Sequence, residues 1–331
     1  MSGSTIGLVR PPPDAMPSGG NVFNRQLLAH AAGAGTPLVA LHGDPAELAG
    51  YHCDLLVWDS LLLGRVRRLA DERIGILLHY LPSLQPGLEP ARRSQLSAVE
   101  DAAAAHADFI AATSVELAAT AEALWPGKRV VACEPGVGEA FRRRAPRVAG
   151  RSVALVSVAN LLPAKGHEGL LHLLRRLRQR PWHWHVVGHG GEDGAAAERL
   201  QADADRMGLR DRMTLHGALP QDLVAALMAA SDLLLHPSLF ESYGMVLAEA
   251  RAVGLPALCF RVGAAPRLIE HGVTGLTAAA GDWNEFGRHL QRLLDEPALR
   301  SAFERNLGFM PVRGWDRTYA EFRAVCDAVL R

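Results

Sequence analysis

The chain has 331 residues, enough for two compact domains, and its 49% hydrophobic and 21% charged content is that of a globular protein rather than a disordered one. Basic and acidic residues balance at 35 each, so no global field is available to hold a polyanion, and nucleic acid is disfavoured as an obligate partner. No early stretch joins a basic start to an apolar core and a small-residue cleavage site, and the apolar stretch from Leu223 to Leu235 is interrupted by Ser231 and Asp232. Secretion and membrane spanning are therefore not expected, and the cytoplasm is the default address.

Short apolar runs alternate with amphipathic segments along the whole chain. Strands are predicted at Thr5–Arg10, Pro37–Leu41, Asp54–Trp58, Ile74–His79, Phe109–Ala112 and Arg129–Cys133. A second set follows at Val153–Val158, His185–Gly188, Met213–His216, Leu233–His236, Ala257–Phe260 and Leu276–Ala278. Helical periodicity fills the gaps, as in Glu168–Arg178, Asp222–Ala230 and Met245–Val253. Such alternation implies an α/β protein with parallel sheets and helices on both faces. A break at Phe141–Arg151, rich in arginine, divides the chain into two doubly wound, Rossmann-like domains expected to face a cleft. The first covers 1–145, the second 151–315, and a C-terminal helix at 316–331 is expected to pack back on the first. Ligands of such sheets bind beyond the carboxyl ends of the strands, so the loops there should hold the chemistry.

Metal sites are not expected. The cysteines Cys53, Cys133, Cys259 and Cys326 are scattered and suit a reducing compartment. His183 and His185 alternate on one face of a strand without converging on a third ligand. Asp203 and Asp205 lie in a helical run, where residues two apart point about 200° away from each other, so they read as a solvated face. The basic clusters Arg65, Arg67, Arg68 and Arg175, Arg176, Arg178, Arg180 read as solvated helix faces, with a weak membrane-surface role for a lipid acceptor as the minority reading.

The most informative segment is Pro237-Ser-Leu-Phe-Glu241-Ser-Tyr-Gly244-Met-Val-Leu-Ala-Glu249-Ala. A strand ends near His236 and a helix begins close to Gly244. The amides of Tyr243, Gly244, Met245 and Val246, with Ser242 just ahead, form a natural cradle for a pyrophosphate. Glu241 precedes that helix, where a sugar on the phosphate would lie. Glu249 falls on the apolar stripe beside Val246 and needs partners there; a ribose diol would supply them. A second element is Asn160-Leu-Leu-Pro-Ala-Lys165-Gly166, in which a loop lysine can offer its ammonium to a phosphate. Gly188-His-Gly190-Gly191 offers backbone approach to a ligand, as does Ser18-Gly19-Gly20-Asn21 ahead of the first long helix. His79 ends the fourth predicted strand.

Glu241 and Glu249, continued by Gly254-Leu-Pro256, Val262-Gly263 and Glu270-His-Gly-Val-Thr-Gly-Leu276, resemble the Glu-x7-Glu signature of the family-4 retaining glycosyltransferases, which have the GT-B fold. The resemblance covers most of residues 150 to 285. It implies that Glu241 contacts the donor sugar and Glu249 the nucleotide ribose. It also implies that Lys165 clamps the diphosphate, that the loop ending at Leu219 holds the base, that Gly19 and Gly20 reach the phosphate and acceptor, and that His79 contacts the sugar. Asn160 stands where that family carries an arginine and brings a hydrogen-bond donor without charge. The first domain is short for the family.

The expected activity is therefore retaining transfer of a hexosyl group from a nucleoside diphosphate sugar, UDP-sugar ahead of GDP-sugar, to a small-molecule or glycan acceptor, without metal or permanent cofactor. Competing readings are a GT-B epimerase or phosphorylase, a non-catalytic sugar-nucleotide binding module, and a dinucleotide oxidoreductase. The last ranks lowest, because the first glycine loop lacks Gly-x-Gly-x-x-Gly and a following ribose-binding acid.

Overall fold

The structure is a computed structural model and describes residues 4–12, 18–35, 38–67, 71–142, 152–191 and 194–331. The tip of the proline-rich loop and most of the arginine-rich break lie outside the described residues. Two compact units emerge: Met1–Gly136 with Arg313–Arg331, and Val137–Val312. The division falls nine residues ahead of the boundary at 145 read from composition (145 − 136 = 9). The reason lies in packing, since Val137 and Phe141 are buried in the apolar core of the second unit.

The first unit carries β1 (Ile6–Val9), β2 (Leu38–Leu41), β3 (Leu55–Asp59), β4 (Arg73–Leu78), β5 (Phe109–Ala112) and β6 (Val130–Ala132), in the order β2-β1-β3-β4-β5-β6. The second carries β7 (Val153–Val158), β8 (Trp182–Val187), β9 (Met213–Leu215), β10 (Leu233–His236), β11 (Ala257–Phe260) and β12 (Gly275–Ala278), in the order β12-β11-β10-β7-β8-β9. All pairings are parallel. Central strands such as β3, β5, β10 and β11 are buried along their whole length, as apolar runs covered on both faces must be. Each expected strand is present. β4 and β12 each start one residue earlier than expected, whereas β8 starts well ahead, at Trp182, with alternate residues half-exposed.

Each sheet reverses its strand order once, between β1 and β3 in the first unit and between β7 and β10 in the second. These reversals are where doubly wound sheets open a crevice at the strand ends. In the first unit the C-terminal helix Trp315–Leu330 packs on the helix Gly19–Gly33. Trp315 meets Phe23 edge-on at 5.3 Å, and Thr318 Oγ1 donates to the Glu134 carbonyl at 2.7 Å.

Packing at the middle of the first sheet leaves no space for one added carbon. Gly75 in β4 pairs with Phe109 in β5, and a Cβ on Gly75 would sit 2.4 Å from the Phe109 ring. Gly75→Ala should cost about 1–3 kcal/mol through overpacking, read as a lower thermal midpoint. Adding Phe109→Leu should recover part of that loss because the two sites share one contact. Additive losses in the double variant would show that the ring does not set the constraint.

Candidate functional site

In the second unit the loops after β7 and β10 are fastened together. Gly166 has φ 73°, and a Cβ there would lie 2.3 Å from the Pro237 carbonyl oxygen, so only glycine allows this approach. Leu239 N donates to the Ala164 carbonyl at 2.7 Å across the same seam. This brings Lys165 Nζ to 2.8 Å from Glu241 Oε2. His236 Nε2, at the end of β10, stands 3.4 Å from the same oxygen. The lysine and glutamate side chains remain 23% and 20% exposed, whereas that of His236 is 4% exposed, so the pair can meet a ligand and the histidine supports it from below. Burial would raise the Glu241 carboxyl, but Lys165 and then His236 outweigh that and hold it at about 2.

The backbone behind Glu241 is held from β11. A Cβ on Gly263, whose φ is 50°, would fall 2.2 Å from the Glu241 carbonyl and 2.6 Å from that of Ser242. Ala264 N donates to the Ser242 carbonyl at 3.2 Å. Gly244, left-handed at φ 86°, then starts the helix Met245–Val253. The amides of Gly244, Met245 and Val246 meet no acceptor among the described residues, while Tyr243 is buried in the core of the unit. One turn on, Glu249 is half-buried. Burial pushes its carboxyl up to about 7.

The loops after β7, β8 and β9 lie side by side. A Cβ on Gly188 would strike the Ala159 carbonyl at 1.9 Å, and Gly188 N donates to the Gly217 carbonyl at 2.9 Å. Gly190 packs on Ala197 of the following helix, and Leu219 is partly buried against the apolar core. Asn160 ties two of these loops together, because its Oδ1 accepts from His189 N at 3.2 Å.

In the first unit, Ser18 caps the helix Gly19–Gly33 through Asn21 N, and the Gly19 and Gly20 amides meet no acceptor among the described residues. A Cβ on Gly20 would be 3.1 Å from the His79 ring, so that glycine lies against the imidazole. His79 Nε2 is 3.3 Å from Oδ2 of the fully buried Asp59.

Some participants were not visible in the sequence pattern. Asp59, Asn24, His236 and the buried His167 emerge only in three dimensions. The His167 imidazole is pushed down to about 4 by burial, then by His236 and Lys165. The one available signal was a polar residue closing an apolar run, as His236 closes β10 and Asp59 closes β3.

The histidines of β8 do gain a neighbour that strand alternation does not provide. His185 Nδ1 is 3.0 Å from His216 Nε2, and His183 Nε2 is 2.8 Å from Thr214 Oγ1. Among the described residues, however, no group of three histidine, cysteine, aspartate or glutamate side chains could hold a metal ion. Asp203 pairs with Arg206 and Asp205 with Arg210, so neither faces a site. Arg180 pairs with Asp295, and Arg65, Arg67, Arg175, Arg176 and Arg178 are exposed. No helix among the described residues is long and apolar enough to cross a membrane.

The profile of the family described as "Glycosyl transferases group 1" matches residues 139–307. The D-inositol 3-phosphate glycosyltransferase 2 of Catenulispora acidiphila is 30% identical over 299 residues, covering 82% of this chain and 69% of that protein. The D-inositol 3-phosphate glycosyltransferase of Thermobispora bispora is 28% identical over 301 residues, with coverage of 81% and 69%. Among solved structures, sucrose-phosphate synthase from Thermosynechococcus elongatus superposes with a TM-score of 0.84 at 20% identity, over 98% of this chain and 99% of that one. Anabaena HepE in complex with UDP and glucose gives 0.79 at 16% identity, over 98% and 100%. This chain belongs to the glycosyl transferases group 1 family and is a glycosyltransferase with the GT-B fold.

Proposed function

We propose that the protein moves a hexosyl group from a nucleoside diphosphate sugar, UDP-sugar ahead of GDP-sugar, to a small-molecule or glycan acceptor with retention of anomeric configuration. The observation that carries this reading is the partly exposed Lys165–Glu241 pair at the strand-order reversal, followed by the amides of Gly244, Met245 and Val246 that meet no acceptor among the described residues. An ammonium and a row of amides suit a diphosphate, and the carboxylate beside them suits the hydroxyls of the sugar it carries. The Glu-x7-Glu spacing agrees with the same reading, whereas the short first unit is a departure from the family's pattern and leaves the acceptor unassigned. Anabaena HepE, the structural neighbour bound to UDP and glucose, supports a UDP-sugar donor.

In the reaction, negative charge grows on the departing diphosphate as the sugar becomes oxocarbenium-like. Lys165 and the helix amides stabilise that charge, so no metal or permanent cofactor is needed. Glu241 is already engaged by Lys165 and His236, which suits a positioning carboxylate better than a nucleophile. The leaving phosphate takes the acceptor's proton on the same face. Asn160 holds the β8 loop and leaves Lys165 as the chain's cation in this clamp, while Gly188, Gly190 and Leu219 border the nucleotide. From the first unit, His79 serves the sugar, and Gly19 and Gly20 offer amides to phosphate or acceptor. The four free cysteines suit a cytoplasmic setting. Weak membrane-surface association remains the minority part of the proposal, resting on the exposed arginines.

A thermal-shift panel of UDP-, GDP- and ADP-sugars should stabilise the protein with at least one donor; no stabilisation by any sugar nucleotide or nucleoside diphosphate would sink this reading. Glu241→Gln should retain donor binding while slowing turnover by about 100-fold through misplacement of the sugar and lysine. Full turnover in that variant would remove Glu241 from the mechanism.

Glu249 gives the site a pH dependence. Its carboxyl, raised from 4.5 to about 7, stabilises the ligand-free fold fully below the lower value and loses that contribution as pH rises through the upper one. Ribose hydroxyls donate to the ionised form, so donor affinity should increase as pH rises through about 7. Calorimetry with a UDP-sugar, whose diphosphate does not titrate there, should detect proton release in the wild type and none in Glu249→Gln. Equal proton release by both would place the titrating group elsewhere.

A further inference from the structure

We propose that Asp59, itself held by Asn24, is a positioning residue for His79: it keeps the imidazole hydrogen on Nε2 and so leaves Nδ1 as an acceptor for a hydroxyl of the donor sugar. The inference deepens the reading above, in which His79 serves the sugar.

Asp59 closes β3 and is fully buried. A carboxylate so placed requires donors on both oxygens. Oδ1 accepts from Leu61 N at 2.7 Å. Oδ2 accepts from Asn24 Nδ2 at 2.5 Å and has His79 Nε2 at 3.3 Å. Among the described residues no lysine or arginine pairs with Asp59. An anionic oxygen facing a bare ring nitrogen would set lone pair against lone pair. With the hydrogen on Nε2 the same contact is attractive, so the carboxylate selects the tautomer.

Asn24 has no freedom in this arrangement. Only its NH2 can face a carboxylate oxygen, and its own Oδ1 is left buried without a donor. A fully buried polar residue left half-satisfied is costly, and here the cost maintains one orientation of Asp59. The ring is gripped as well. Gly20 lies against it, and Phe23 meets it edge-on at 5.4 Å. Ser60 Oγ accepts from His79 N, and Thr113 Oγ1 donates to the His79 carbonyl, which fixes the backbone. The other titratable groups nearby do not compete for the ring. Tyr80 is kept neutral by burial and by the Asp59 and Glu100 carboxylates, and Glu100 is occupied by Ser83 N and Oγ. Nε2 is the buried ring nitrogen and stands 3.3 Å from Asp59 Oδ2 in a charge contact rather than an aligned hydrogen bond, which leaves Nδ1 for a ligand.

The test reads the tautomer directly, by long-range proton–nitrogen correlation of the imidazoles in the ligand-free protein, with the His79 signal assigned by its loss in His79→Gln. The wild type should show the Nε2–H form. Asp59→Asn, whose NH2 can face the ring, should shift His79 to the Nδ1–H form. Release of nucleoside diphosphate from whichever sugar nucleotide best stabilises the protein should then fall about 3- to 10-fold in kcat/KM, the size of one lost neutral hydrogen bond. Asn24→Ser, which retains the carboxylate, should keep the wild-type tautomer, and the wild-type spectrum remains decisive if Asp59→Asn fails to fold. An Nδ1–H wild type, or an Asp59→Asn protein unchanged in tautomer and kcat/KM, would overturn the proposal. Because the tautomer is read without ligand, a failure of sugar nucleotides to bind would count against the proposed function and be distinguishable from a failure of Asp59 to orient the ring.

Discussion

Close backbone contact between the loops after β7 and β10 is the constraint on which the second unit's site depends. With no side chain at Gly166, the chain passes against the Pro237 carbonyl, and this contact sets the distance between Lys165 and Glu241. With the Lys165 ammonium held at 2.8 Å, the Glu241 carboxyl stays ionised despite its burial. The same logic recurs one layer back, where Gly263 admits the carbonyls of Glu241 and Ser242. Two glycines that contribute no functional groups of their own thus decide where the Lys165–Glu241 pair sits.

The two units solve a shared problem differently. In the second, the strand-order reversal gathers a cation, a carboxylate and a helix start. In the first, it gathers a buried carboxylate and a histidine beneath another helix start. The second unit's arrangement suits a polyanion, and the first unit's suits a neutral polar group held in one orientation. That division follows from the residue types alone: Lys165 brings charge outward, whereas Asp59 brings charge inward and offsets it with donors.

Much of this was legible in the sequence because parallel strands covered on both faces are continuous apolar runs, and each run from β1 to β12 stood out. β8 began early because its Trp-His-Trp-His alternation has one half-exposed face, which dilutes the apolar signal where the strand starts. The division between the units was misplaced by composition because the arginines follow Phe141, while Val137 and Phe141 are already committed to the second core. Glu241, Glu249 and Lys165, which the proposed function assigns to the donor, each lie in a short motif next to a helix start, where sequence alone can single them out. Asn24, Asp59 and His79 were not legible as a set. They are separated by 35 and 20 residues (59 − 24, 79 − 59), and only adjacency of β3, β4 and the first helix brings them together. His236 was hidden for a related reason, since a strand-end histidine reveals its partner only after the next loop has folded back.

The helix Trp315–Leu330 completes the first unit although the whole of the second is encoded before it. During synthesis, Phe23 and the Glu134 carbonyl therefore wait without Trp315 and Thr318 until the last part of this sequence has left the ribosome. The second unit, continuous from Val137 to Val312, has all its own contacts available earlier. Of the two units, the one whose strands are encoded earlier is thus the one whose own contacts are completed later, which leaves an apolar helix face uncovered in the interval.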